Sequence, residues 1–174
     1  MIDEVFDKPI ETKYEKLLNV NINNVDKHDI YRFKTNNGFS YDVEFYKELI
    51  GFKYIKLLDG TTLPDKNNDS VTMGIIIGFT PTEINYSDVP EDVIGTLEDP
   101  YISRTGRNEQ YEVLGKIIFL VDEYIKNNPD FYVYIITKNT NKTNIRIYNM
   151  MFKNIFLNNF NVYESDEAFY YIKK

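Results

Sequence analysis

The stretch that most constrains the fold runs from Gln110 to Thr137: a long amphipathic segment, a proline stop, and a short run apolar on both faces. Tyr111, Leu114, Ile118, Val121 and Ile125 recur at the spacing of one helix face. Val113, Ile117, Leu120 and Tyr124 widen that stripe, which predicts a helix over Gln110–Asn128 covered on more than one side. Glu112 with Lys116, and Asp122 with Lys126, stand four apart in the favourable acid-first order. Asn127-Asn128-Pro129 ends the run, because proline disfavours a helical residue before it. Phe131–Thr137 is β-branched and aromatic throughout and predicts a central strand buried on both sides.

After the polar link Lys138–Lys142, a second helix is expected over Thr143–Asn158, with Ile145, Tyr148, Phe152, Ile155 and Phe156 inward and Lys142, Arg146, Asn149 and Lys153 outward. Asn161–Tyr163 and Ala168–Ile172 then form a hairpin around Ser165-Asp166-Glu167. Upstream, Ile30–Thr35 and Phe39–Lys47 flank Asn36-Asn37-Gly38, a strong hairpin signal, and Phe39, Tyr41, Val43 and Phe45 alternate as its buried face. Glu48–Leu58 reads as extended, and Asp59-Gly60 opens a turn-rich loop to Ser70. Val71–Thr80 is a second central strand, whose Gly74 and Gly78 mark either a bulge, the preferred reading, or a close approach by a backbone or ligand. Pro81–Asn108 reads as a long acidic loop, without Lys or Arg between Pro81 and Ser103. Together these give an α+β class: one domain over 29–174, a mixed, mostly antiparallel sheet, and two long helices. Residues 1–28, broken by Pro9 and by the asparagines at 19, 21, 23 and 24, read as an N-terminal arm that packs on the domain or is partly free, with an arm that reaches a partner subunit as the sharper alternative.

Composition narrows the function classes. A net charge of −7 repels phosphate backbones, so no nucleic-acid partner is expected. The absence of cysteine excludes disulfides, thiolate nucleophiles and Cys-ligated metals. No run approaches the roughly 20 apolar residues of a membrane span, and the acidic N-terminus lacks a secretion signal, so a soluble product made in the cytoplasm is expected.

Few residue groups suggest chemistry. Asp65, Asn67 and Asp69 have the first spacings of a calcium loop, but Ser70 and Ile76 stand where glycine and glutamate belong, which leaves a polar turn and no metal site. His28 is the one histidine and reads as a surface residue. Arg104, Thr105, Gly106, Arg107 and Asn108 precede the long helix. A helix N-terminus there could receive an anion on free backbone N–H groups, flanked by two arginines. Simple capping by Asn108 or Thr105 is the plainer reading.

The order of strand, long helix, strand, helix and hairpin over residues 30–172 resembles the second half of the GNAT N-acetyltransferase fold. That resemblance implies an acetyl-CoA cleft with its pyrophosphate loop at Arg104–Asn108. The loop is degenerate, since Arg107 and Glu109 occupy positions where the family has small residues. The phrasing is also similar to uncharacterised tailed-phage proteins, through Tyr31-Arg-Phe33-Lys-Thr35, Gly38-Phe-Ser-Tyr41-Asp-Val43-Glu-Phe45, Thr105-Gly106 and Arg146-Ile147-Tyr148. It implies a non-enzymatic phage interaction or structural protein, a virion-associated component made in the host cytoplasm, that docks other phage proteins or copies of itself, with no catalytic residues and no cofactor. The alternative is an N-acetyltransferase using acetyl-CoA, with Glu44 or Glu83 as base and Tyr148 or Tyr163 as acid. An acidic DNA mimic has only the net charge in its favour.

Overall fold

A computed structural model describes residues 9–17, 28–82, 88–93, 100–138 and 158–174. Its frame is a seven-stranded sheet: β1 (Glu15–Leu17), β2 (His28–Lys34), β3 (Ser40–Gly51), β4 (Val71–Pro81), β5 (Val133–Thr137), β6 (Phe160–Glu164) and β7 (Ala168–Lys173), in the order β1-β2-β3-β4-β5-β7-β6. Neighbours are antiparallel except β4 and β5, which run parallel and are joined through the helix α1 (Pro100–Asn127). The long β2–β3 hairpin turns at Gly38, whose φ of +85° suits glycine and few other residues.

One sheet face receives α1. Tyr31, Phe33, Tyr41, Val43, Phe45, Ile75, Ile77, Tyr134 and Tyr171 meet Val113, Leu114, Ile117, Ile118, Leu120, Val121 and Tyr124. Both stripes of the helix are therefore used. Phe45 and Tyr124 stack with ring centroids 3.8 Å apart, and the Tyr124 hydroxyl donates to Asp29 Oδ2 at 3.0 Å, so the one polar atom of that ring is satisfied. The expected pairs Glu112–Lys116 and Asp122–Lys126 are present at 3.0 and 2.8 Å. Glu112 also accepts from the Asn36 N–H and Lys116 donates to the Lys34 carbonyl, tying the helix to the hairpin turn.

The opposite face, at its β5–β7 end, is covered among the described residues by the segment that follows β3. Residues Phe52–Tyr54 make one 3-10 turn, and the segment then folds back through the bridges Lys56↔Thr62 and Leu57↔Ser165. Phe52, Leu57 and Leu63 there bury against Ile50, Val133, Ile135, Ala168, Tyr170 and Ile172, a second core.

Several expectations need correction. The GNAT-like α+β domain with two long helices does not hold. Among the described residues there is one helix against a seven-stranded sheet, and the second face is covered by the folded-back segment after β3. The span expected as the second helix lies outside the described residues up to 157. Helix α1 starts at Pro100, ten residues before the expected start. Proline suits a first turn, where no intrahelical N–H bond is needed, and Gly106 inside the helix costs only about 1 kcal/mol relative to alanine. β4 has no bulge, because its register with β3 runs unbroken from Tyr41↔Pro81 to Gly51↔Val71. Gly74 is instead a close-approach position: a Cβ there would lie 2.7 Å from Ile50 Cγ1 and 3.1 Å from Ile135 Cδ1. The described part of the N-terminal arm packs on the domain, as one of the two expected readings had it, through strand β1, Tyr14 stacked on Tyr31 and the Ile10 N–H donating to the Gly115 carbonyl. No helix among the described residues is long and apolar enough to cross a membrane.

Candidate docking cleft

The folded-back segment leaves a cleft of about 420 Å3 between itself and the ends of β3, β5 and β7. Ile50, Ile76, Ile135 and Ala168 make an apolar floor, and Tyr54 and Tyr170 stand as aromatic walls. The floor follows from sequence alternation: Ile50, Ile76 and Ile135 occupy the sheet face turned away from α1, while Ile75, Ile77, Tyr134 and Ile136 face the helix. Gly74 lets Ile50 and Ile135 close over the sheet beneath the cleft.

Tyr54 is 78% exposed, yet its ring has a defined seat. A Cβ at Gly51 would lie 2.8 Å from Tyr54 Cδ2, so the ring rests where any other residue at 51 would place a side chain. Lys53 Nζ sits 5.1 Å from the ring centroid. The hydrogen bonds Leu57 N–H to Thr61 O, Leu63 N–H to Ile55 O and Leu58 N–H to Glu164 O hold the supporting segment. Beside Tyr54 a second recess of about 240 Å3 is bounded by Lys56, Ser165, Asp166 and Glu167.

The cleft rim is acidic. Glu48 enters from β3, opposite Gly74, and Glu167 from the β6–β7 turn. That turn is fixed by Ser165 Oγ, which accepts from the Glu167 and Ala168 N–H groups, and by the Lys138 N–H donating to the Glu167 carbonyl. Burial pushes the Tyr170 hydroxyl up, a hydrogen bond with Ser165 pulls it back, and the negative charges of Glu167 and Glu48 add to the rise. Both carboxylates thus act on one aromatic wall. Among the described residues neither Glu48, Asp166 nor Glu167 is ion-paired, whereas Asp29, Asp42 and Glu164 each face a basic side chain.

The residues expected to carry chemistry lie elsewhere. Arg104, Thr105, Gly106, Arg107 and Asn108 are inside α1, past its first turn, where backbone N–H groups bond within the helix. The helix N-terminus that an anion would need is at Pro100. Glu44 on β3 accepts from the Tyr46 hydroxyl, and Tyr163 on β6 packs against the second core. Four strand spacings separate those two strands, about 19 Å at roughly 4.8 Å each. Glu44 and Tyr163 are therefore not brought together as a base–acid pair; Glu83 and Tyr148 lie outside the described residues. His28 is half-buried in β2 rather than on the surface, stacked on Tyr46 at 4.2 Å with Glu44 Oε1 3.9 Å from Nε2. Asp65 spends both carboxylate oxygens on the N–H groups of Asp69 and Ser70, a polar turn.

Sequence reading missed Glu48, Tyr54, Glu167 and Tyr170, and only the glycine at 74 carried a signal of close approach. Comparisons with protein-family models, with curated proteins and with solved structures gave no match.

Proposed function

We propose that this chain is a non-enzymatic interaction protein that docks a protein partner at the Tyr54 cleft, and that its setting is a phage particle or its assembly. The observation that carries the docking reading is Tyr54 itself, a large aromatic side chain mostly in solvent but seated on Gly51 beside an apolar cleft. Aromatic side chains bring large contact area to an interface and are enriched among the residues that dominate its energy. Leu58, 56% exposed, extends the apolar surface along the same segment. The phage setting rests on the phrasing around Tyr31–Phe45. The acetyl-transfer alternative gains no support, since the residues that would face its cofactor lie within α1.

A photo-reactive benzoylphenylalanine placed at position 54, with a control at Lys126 on the helix side, tests this in the cells that make the chain. A discrete adduct from 54 and none from 126 is expected, with the partner then sought in purified particles. Equal labelling from both positions, or saturable binding and turnover of acetyl-CoA by the purified chain, would overturn the reading.

A further inference from the structure

Resting on that docking reading, we infer that the cleft takes an arginine side chain presented by the partner, its stem on the apolar floor and its guanidinium at the acidic rim that Glu48 and Glu167 supply, against Tyr54 and Tyr170. Charge complementarity selects the occupant. Among the described residues the lining of the 420 Å3 cleft carries two carboxylates and no basic side chain. Its carboxylates have no ion partner among the described residues, so they are free to pair with an incoming cation. The basic residues nearby among those described are Lys53, whose ammonium lies over the Tyr54 ring, Lys56, which bounds the neighbouring recess with Asp166 and Glu167, and Lys138, whose ammonium pairs with Glu164 and lies over the Phe169 ring.

Arginine fits better than lysine for physical reasons. Its planar guanidinium can stack on an aromatic face while its N–H fork binds a carboxylate edge-on, and it loses less hydration on leaving water. The floor of Ile50, Ile76 and Ile135 offers apolar cover to the three methylenes behind that head. A partner bearing a carboxylate at this point would instead meet two like charges. The cleft therefore also discriminates by repulsion.

The test is an amide-resolved NMR titration of the full chain with N-acetyl-arginine amide, paired with its neutral isostere N-acetyl-citrulline amide. Saturable shifts at Gly51, Glu167 and Ala168 are expected with arginine and not with citrulline, weakening as salt is raised. In the Glu48→Gln/Glu167→Gln double variant the affinity should fall at least about tenfold. Both side chains are exposed, and an unchanged amide spectrum before titration verifies the fold. An equal response to citrulline, no response at the cleft, or full affinity in the double variant overturns the inference. Cross-linking from position 54 separates the two levels: if it persists while the arginine probe fails, docking stands and the arginine occupant falls.

Discussion

Gly74 and Gly78 lie four residues apart in β4, on the same sheet face, opposite Glu48 and Glu44 of β3. The same substitution at the two positions should have opposite effects. A Cβ at Gly78 meets nothing within 4 Å, so Gly78→Ala adds a methyl in open space. It removes only the excess freedom of an unfolded glycine, which should stabilise by about 0.4–1 kcal/mol. A Cβ at Gly74 would come within 2.7 Å of Ile50 Cγ1, about an ångström inside ordinary carbon contact. Cγ1 is the inner part of the chain, so rotating the end of Ile50 does not clear it. Ile50 and Ile135 are themselves 6% and 3% exposed and have little room to retreat. Overpacking of this kind costs about 1–3 kcal/mol. Net of the same entropic gain, Gly74→Ala should destabilise by about 1–2 kcal/mol, or roughly 2–8 °C in the melting midpoint at this chain length.

Urea unfolding followed by far-UV circular dichroism measures both variants, since the chain has no tryptophan to report. A double-mutant cycle makes the assignment specific. Ile50→Ala alone should cost about 2–5 kcal/mol, and less in the Gly74→Ala background, because the added methyl then occupies part of the space vacated. Equal costs at 74 and 78, or additivity of Gly74→Ala with Ile50→Ala, would refute the close-approach reasoning and return the glycines to a role in backbone geometry.

Two further outcomes follow from the core. Burial holds the Tyr31 and Tyr171 hydroxyls up at about 12 and raises Tyr134 as well, against about 10 in an unfolded chain. The folded state thus keeps protons that the unfolded state has lost. Stability is fully present below pH 10 and falls as pH rises towards 12, by about 1.4 kcal/mol per pH unit for each such group. Urea midpoints at pH 9, 10 and 11 should decline, with a shallower slope in Tyr171→Phe by about one proton; a flat profile would contradict the burial. Tyr124→Phe removes the 3.0 Å hydrogen bond to the buried Asp29, whose carboxylate keeps Lys47 at 3.7 Å. A loss of about 1–3 kcal/mol at unchanged denaturant slope is expected, and no loss would mean that the hydroxyl bond contributes nothing net.

The parts of the fold that could be read from sequence are those whose cause is local. The two apolar stripes of α1 follow from a 3.6-residue period, and their burial from Val113 to Tyr124 matches it. Asn-Gly at 37–38 fixes a turn by backbone conformation alone, and Val133–Ile136, apolar on both faces, lies in the sheet interior. The start of α1 was not legible because Pro100–Gln110 carries no long apolar stripe, and glycine at 106 reads equally as loop or as a tolerated interruption. The covering of the second face was not legible either. Residues 52–63 bury Phe52, Leu57 and Leu63 through bridges to residue 165 and across a short return, which leave no periodic trace.

The cleft is the extreme of this limitation. Its lining is drawn from β3, β4, β5, β7 and the segment after β3, so Glu48 and Tyr54 are separated from Glu167 and Tyr170 by more than a hundred residues of chain. What the sequence does display is two glycines, and the same physics operates at both. At 51 the missing side chain is the seat of Tyr54, and at 74 it is the space into which Ile50 and Ile135 close. A glycine in a sequence does not say what comes near: nothing does at 78, a solvent-facing ring does at 51 and a buried isoleucine at 74. Those two neighbours lead to different kinds of position. Filling the space at 74 should register as lost stability, because the displaced atoms are core. Filling the space at 51 displaces a ring that is already mostly in solvent, so its larger effect should fall on whatever that ring contacts.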